Sequence, residues 1–134
     1  MIYEWLVDKL EAVDALGTKV YPVAVCVDDV EPPLAIYKTL TTDYVRDISG
    51  DVHHVVEVVE ITLLGPDYET LHRIAKAAVE GLEAVSNLDT GTGEWLFSAM
   101  CDQAEPEGFD TTMGIMSKTI RVTLRYCSME TEGS

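Results

Sequence analysis

The sequence predicts an α+β fold: a two-layer sandwich in which two helices lie on one face of a mostly antiparallel sheet. Three observations support this prediction. A length of 134 residues fits one domain. Two segments repeat apolar residues at helical spacing, and five runs have the composition of strands. These elements follow the order α-β-β-β-α-β-β, with residues 1–127 expected to form the domain and 128–134 a disordered tail.

The N-terminal part predicts a helix followed by an edge strand. Residues 2–16 place their apolar side chains on one helical face, and Gly17 is a natural stop. The apolar run at 20–27 predicts a strand. Because Pro22 cannot donate a hydrogen bond to a neighbouring strand, this strand is expected at a sheet edge or to begin near Pro22.

The next segment predicts two strands joined by a loop. Residues 34–40 predict the first strand, the polar stretch 41–51 a loop, and 52–64 the longest strand. Both faces of the long strand are largely apolar, whereas a strand with one solvated face alternates more cleanly. We therefore expect the helices to cover one face and another surface, such as a neighbouring subunit, to cover the other. One face carries Val55, Val59, Ile61 and Leu63, and the other carries Val56, Val58 and Leu64.

The C-terminal half begins with a capped helix. Asp67 is the predicted N-cap, and the segment 87–93, with two glycines, ends the helix. Residues 94–101 predict a strand that follows it. On this strand one face is expected to carry Trp95, Phe97 and Ala99.

Two segments complete the order. The acidic segment 102–118 contains two glycines and a proline and predicts a long loop. Residues 119–127 show the clearest alternation in the chain and predict the last strand.

Acidic residues dominate the charged surface. The chain has 24 Asp and Glu against 9 Lys and Arg, which gives a formal net charge of −15. Such a surface repels nucleic acid and anionic membranes by default. It also opposes self-association unless the acidic groups are kept apart or screened by salt.

No cluster of residues predicts catalysis, a metal site or a bound cofactor. Cys26, Cys101 and Cys127 are widely spaced, and without a signal peptide or membrane span they are expected to be inert thiols of a cytosolic protein. His53 and His54 are adjacent in a predicted strand, so they are expected on opposite sides and unable to chelate one ion together. We therefore expect a protein that is not an enzyme.

Two glutamates on the long strand are the most suggestive charged residues. Glu57 and Glu60 fall on opposite faces, so they do not form a carboxylate pair for acid–base catalysis. One of them could meet Arg121 or Arg125 at a subunit boundary. The alternative, an ordinary solvated glutamate, stays open at this point.

A series of short motifs resembles a known family. After the leading helix it consists of Val20-Tyr21-Pro22, Pro33-Leu34-Ala35-Ile36-Tyr37, Val55–Ile61, Tyr68-Glu69-Thr70-Leu71 and Thr119–Tyr126. The series resembles the tail terminator, or tail completion, proteins of long-tailed bacteriophages, a group that includes the lambda-type minor tail protein U and a related domain-of-unknown-function family. The resemblance covers nearly the whole chain and consists of patterns of polarity and turns.

The resemblance implies a structural protein whose six copies form a ring that caps the tail tube and joins it to the head. The implied partners are other copies of the chain, the tail tube protein and the head-tail connector proteins. DNA would pass through the ring without specific binding, and no cofactor or membrane is implied. The implied location is the virion tail, after assembly in the cytoplasm of the bacterial host.

Two sets of residues are the candidates for these roles. The expected subunit interface consists of Val56, Glu57, Val58, Glu60, Arg121 and Arg125. The expected lumen or docking loops contain Asp43, Tyr44, Arg46, Asp47, Asp51, Glu105, Glu107 and Asp110.

Two other classes of function remain open. A small-molecule-binding regulatory domain acting as a dimer would have a closed apolar pocket at its interface, with polar groups directed into it. A small enzyme with its site between subunits would bring perturbed carboxylates or histidines together across an interface. A tail terminator would instead have a head-to-tail, ring-forming interface.

Overall fold

The described part of the chain folds into seven strands and two helices. The structure is a computed structural model that describes residues 2–13, 16–17, 19–22, 32–84, 86–103, 108–110 and 115–128. The helices are α1 (Ile2–Glu11) and α2 (Tyr68–Glu83). The strands are β1 (Val20–Pro22), β2 (Leu34–Arg46), β3 (Val52–Gly65), β4 (Ser86–Asp89), β5 (Glu94–Gln103), β6 (Gly108–Asp110) and β7 (Ile115–Ser128). This arrangement confirms the predicted α+β class and element order, to which it adds the short strands β4 and β6.

β3 lies near the middle of the sheet. The strand order is β1-β2-β3-β7-β5-β4, and β6 also pairs with β7. β1 runs parallel to β2 at one edge of the sheet, as Pro22 predicts, and the other described pairs are antiparallel. β3 pairs with β2 along nearly its whole length and with β7 from Val55 to Gly65.

Both helices pack on one face of the sheet, which we call the helix face. α1 contributes Trp5 and Leu6 to the core and α2 contributes Leu71 and Ile74, and these side chains form one cluster with alternate residues of β3, β5 and β7. The face on the other side we call the open face. The strand β3 buries Val55, Glu57, Val59, Ile61 and Leu63 on the helix face and places Val56, Val58, Glu60, Thr62 and Leu64 on the open face. The two predicted sets of apolar residues are therefore confirmed.

The start of α2 is fixed by a cap and by a close approach. Asp67 Oδ1 accepts a hydrogen bond from the Thr70 N–H at 2.7 Å, and Oδ2 accepts one from the Thr70 hydroxyl at 3.0 Å. This confirms Asp67 as the N-cap. At the end of β3, a Cβ on Gly65 would come within 3.2 Å of the Leu71 Cβ. A glycine at this position lets the strand approach the helix closely.

The prediction of a loop at 41–51 is wrong for its first half. β2 continues to Arg46, and the connection to β3 is a short turn. Residues 41–46 are exposed on both faces because neither helix extends over this part of the sheet. A strand with two solvated faces is polar throughout, so its composition resembles that of a loop.

The structure also places other element boundaries differently from the sequence prediction. α1 ends at Glu11 rather than at residue 16, and the predicted loop 102–118 contains the end of β5, the strand β6 and the start of β7 at Ile115. A register shift between Leu96 and Ser98 places Leu96 and Ala99 together on the buried side. The prediction that Ala99 shares a face with Trp95 is therefore wrong, because the bulge resets the alternation.

Parts of several predicted elements lie outside the described residues. These parts include 14–15 of the first predicted helix, 23–27 of the first predicted strand, 104–107 and 111–114 of the predicted loop, and 129–134 of the tail. Ser128, the first residue of the predicted tail, belongs to β7.

Replacing Asp67 with Ala is expected to lower the free energy of unfolding at neutral pH, because Thr70 loses its acceptor. The hydrogen bonds from Thr70 hold the pKa of Asp67 below its ordinary value of 3.8. The stabilisation is therefore present above that value and is lost as the pH falls through the lowered pKa. Urea unfolding of both proteins across pH should show a constant difference near neutrality that shrinks in strong acid. Asp67→Asn keeps an oxygen acceptor and should lose less stability; a difference that grows in acid contradicts the assignment.

Candidate interaction surfaces

The open face carries apolar residues that α1 and α2 do not cover. Val58 of β3, Thr123 of β7 and Met100 of β5 are register partners and lie side by side across the middle of the sheet. Met100 is 65% exposed, and Val56 and Val58 are partly exposed. Together they form an apolar strip on a strongly charged protein, the kind of surface that marks a protein contact.

An ion-pair cluster borders this strip. Glu60 lies between Lys38 of β2 and Arg121 of β7 because the register pairs it with both. Its Oε1 is 3.5 Å from the Lys38 Nζ and its Oε2 is 3.8 Å from the Arg121 Nε. The sequence suggested that a glutamate could meet Arg121 at a subunit boundary. The structure brings Glu60 and Arg121 together within one chain.

Charge on the open face is nearly balanced, in contrast to the whole chain. Lys38, Arg121 and Arg125 bring three of the 9 basic residues to this face. The acidic residues that the strand register places on it are Glu60, Asp43, Asp89 and Asp102. Since the chain as a whole carries −15, this face repels a second acidic molecule less than the average surface of the chain does.

One carboxylate, that of Glu57, is buried on the helix face. Glu57 is 4% exposed, and its Oε1 accepts a hydrogen bond from the Tyr126 hydroxyl at 3.0 Å and a long one from the Thr42 hydroxyl at 3.4 Å. Its Oε2 is buried without a hydrogen-bond partner in the part of the chain that the structure describes. Because burying a carboxylate is costly unless it is hydrogen bonded, the donors at Oε1 offset part of this cost.

Two tyrosines tie Glu57 to neighbouring elements. Burial raises the pKa of Tyr3 to about 12, and the nearby carboxylate of Glu57 adds to the rise. Burial and then the Glu57 charge raise the pKa of Tyr126 well above its ordinary value. Both hydroxyls therefore stay protonated near neutral pH and act as donors. Tyr3 also hydrogen bonds the Thr39 hydroxyl and stacks on Tyr37, so the start of α1 is held against β2.

The expected interface residues thus separate into two groups. Val56, Val58, Glu60, Arg121 and Arg125 lie on the open face, whereas Glu57 faces the helices. Because side chains alternate along β3, the sequence already predicts that Glu57 shares a face with the buried residues two positions before and after it. The sequence interpretation missed its tyrosine partners, since they come from α1 and β7.

A hairpin extends beyond the part of the sheet that the helices cover. We call residues 38–53 the hairpin arm, and every one of them is exposed. The expected docking residues on the arm are Asp43, Tyr44, Arg46, Asp47 and Asp51. Of the other expected docking residues, Glu105 and Glu107 lie outside the described residues, and Asp110 belongs to β6.

The two histidines next to the tip of the arm are not on opposite sides as predicted. The register shift between Val45 and Arg46 leaves His53 as an extra residue in β3. At this bulge the alternation is interrupted, and the Nδ1 atoms of His53 and His54 lie 2.8 Å apart. Within the described ranges, no group of three or more His, Cys, Asp and Glu residues is arranged to hold a metal ion.

Two described cysteines are free thiols. Cys101 and Cys127 are both partly buried, while Cys26 lies outside the described residues. Burial, followed by the charges of Glu83 and Asp102, raises the pKa of Cys101 to about 12, so its thiol is unreactive near neutral pH. Within the residues that the structure describes, neither helix is long and apolar enough to cross a membrane.

The fold is similar to that of a solved virion protein. No protein-family model matches the chain, and no curated protein matches it. A chain of a structure described as the virion of a native gene transfer agent (GTA) particle is similar over 93% of this chain and 90% of its own length. The TM-score is 0.66 at 17% sequence identity. At this identity the similarity shows a common fold.

Replacing Tyr126 with Phe is expected to destabilise the protein by about 1–3 kcal/mol, because Glu57 Oε1 loses its shorter hydrogen bond while the carboxylate stays buried. Replacing both partners, as in Glu57→Leu with Tyr126→Phe, should cost less than the sum of the single changes, since no buried polar group is left unpaired. Urea unfolding of the four proteins of this cycle measures the coupling. Additive effects would mean that the two groups do not stabilise each other.

Proposed function

We propose that the chain is a non-enzymatic structural protein of a phage-like particle, and that it acts there as a tail terminator. In this role six copies form a ring that caps the tail tube and joins it to the head through connector proteins. The observation that supports the proposal most strongly is the similarity in fold, over 93% of the chain, to a chain of a GTA virion. The motif series with a Pro-containing edge strand and a Tyr-containing second helix agrees with the more specific role.

The two faces of the sheet suit assembly into a ring. Two helices cover one face and give the monomer a core, while the open face keeps an apolar strip centred on Val58. Proteins that function alone rarely leave such a strip uncovered on the middle strands of a sheet. In the ring, the open face of each subunit contacts a different surface of the next, which gives a head-to-tail interface that closes.

The net charge suits a passage for DNA. Six copies carry six times the formal charge of −15. Acidic side chains toward the bore repel the phosphate backbone, so DNA passes without being held. The nearly balanced charge of the open face allows contacts between subunits despite the overall repulsion, and salt strengthens these contacts by screening the remaining acidic groups.

A matched pair of substitutions on neighbouring residues of β3 tests the interface. Val58→Asp on the open face should leave the monomer folded and block assembly, because an unpaired charge buried at an interface costs on the order of 3–5 kcal/mol. Val59→Asp on the helix face should unfold the protein, since Val59 is fully buried in the core. Circular dichroism reports folding, and sedimentation at low and high salt reports assembly.

Each result has a definite meaning. If Val58→Asp unfolds, Val58 belongs to the core of the monomer. If the variant forms the same oligomer as the parent protein, the interface lies elsewhere. Electron microscopy of the parent protein at high salt should show rings with a central bore. Particles purified from cells that produce the chain and its neighbouring genes should contain it at the junction of head and tail; its absence from such particles would refute the proposal.

A further inference from the structure

The tip of the hairpin arm is an ordered turn that presents one apolar side chain. Asp47 Oδ1 accepts hydrogen bonds from the Ser49 N–H at 2.9 Å, the Ser49 hydroxyl at 2.6 Å and the Asp51 N–H at 3.1 Å. Gly50 adopts a φ of 93°, a conformation that favours glycine, and its carbonyl accepts from the Arg46 guanidinium. Ile48 is fully exposed at the apex of this turn.

A groove lies between α2 and the sheet. Its volume is about 420 Å³, and its apolar walls come from Ala75 and Val79 of α2, Cys101 of β5 and Ile120 of β7. Ala75 and Ile120 are buried, whereas Val79 and Cys101 are partly exposed. The groove is therefore an opening to the apolar core, of a size that accepts an aliphatic side chain such as that of Ile48.

We propose that the arm of one copy of this chain docks in the groove of the next copy, with Ile48 inserted between α2 and the sheet. The inference rests on the proposed function, because it adds a second contact between neighbouring subunits of the ring to the contact made by the open face. It also explains why an exposed arm and an unfilled groove occur on the same chain.

A subunit cannot reach its own groove. The arm tip lies beyond Val52, at the start of β3, whereas the groove lies at the level of Lys118 and Ile120, which pair with Leu63 and Ile61. Along an extended strand, the eleven residues between Val52 and Leu63 span about 36 Å. Only a second molecule can fill the groove with this arm, and because the two surfaces differ, the contact is head-to-tail.

The charges on the two surfaces make a second copy the best occupant. Asp47 and Asp51 flank Ile48 on the arm. The rim of the groove carries Lys76 and Lys118, with Glu80 and Asp102 also present. The rim is therefore neutral on a chain of net charge −15, and its lysines can meet the arm's carboxylates. The guanidinium of Arg46 can in turn approach the acidic residues of the rim.

Photo-crosslinking of the full chain tests the contact directly. A benzophenone amino acid replaces Ile48, and the protein is irradiated at millimolar concentration and high salt, where acidic repulsion is screened. Mass spectrometry should find crosslinks between subunits at Ala75, Val79 or Ile120. The same probe at Thr41, on the open face of the arm, is the control and should not label these residues. Crosslinks from position 48 to other parts of the chain overturn the inference.

Two sets of substitutions measure the energetics. Ile48→Asp should weaken association about tenfold or more, whereas Ile48→Leu should retain it. Lys76→Glu should weaken association, and the added change Asp51→Lys should restore part of it. Ile48, Lys76 and Asp51 are all exposed, so circular dichroism should show unchanged folding. Association that is unaffected by Ile48→Asp also overturns the inference.

Different experimental results would contradict this inference and the proposed function. Rings that form with crosslinks elsewhere, or a free chain that stays monomeric in high salt, refute arm docking and leave the role in the particle intact. Absence of the chain from purified particles refutes that role, whatever the crosslinks show.

Discussion

The structure depends on β3, which must pair with a strand on each edge while burying only one of its faces. The alternation of its side chains determines which residues enter the core beside α1 and α2. Its register with β2 and β7 then determines which polar and charged side chains of these strands meet. Lys38 and Arg121 meet Glu60 on one face, and Tyr126 meets Glu57 on the other. A shift of one residue in β3 would exchange the two faces and break both sets of contacts together.

Two helices cover only part of this sheet, and the uncovered parts are the natural places for partners. One uncovered part is the open face, where apolar residues and nearly balanced charges are combined. The other is the hairpin arm, whose side chains are exposed and which keeps its shape through pairing between β2 and β3 and through the hydrogen bonds of its turn. A chain of charge −15 gains little from contacts at its acidic surfaces. Association is therefore favoured where acids are balanced by bases or apolar area is available.

Glu57 marks the boundary between the covered and uncovered parts of β3. Toward Gly65 the strand lies beneath the helices, and toward Val52 it enters the arm. A buried carboxylate here connects Tyr3 of α1, Thr42 of β2 and Tyr126 of β7. These hydrogen bonds orient the base of the arm relative to the helix layer. Such a network costs desolvation free energy, but it specifies one geometry at a place where apolar contacts become few.

The sequence by itself determined the fold class, the order of the main elements and the two faces of β3, because these follow from local periodicity. It also identified Asp67 as the cap of α2, since a cap needs only residues close in sequence. It did not reveal that residues 41–46 form a strand, because a strand solvated on both faces lacks an apolar period. The bulges at Phe97 and His53 were missed for a related reason: the extra residue is defined by the partner strand.

Only the tertiary structure decided which charged residues meet. Glu57 and Tyr126 are far apart in sequence, and nothing in the local pattern of either shows that a hydroxyl will reach the carboxylate. The same holds for Glu60 and Arg121, whose contact follows from the register of β3 with β7. Periodicity along one strand specifies which face a side chain occupies. Its neighbour on that face depends on how strands distant in the chain align, and that alignment is fixed by the packing of the whole core.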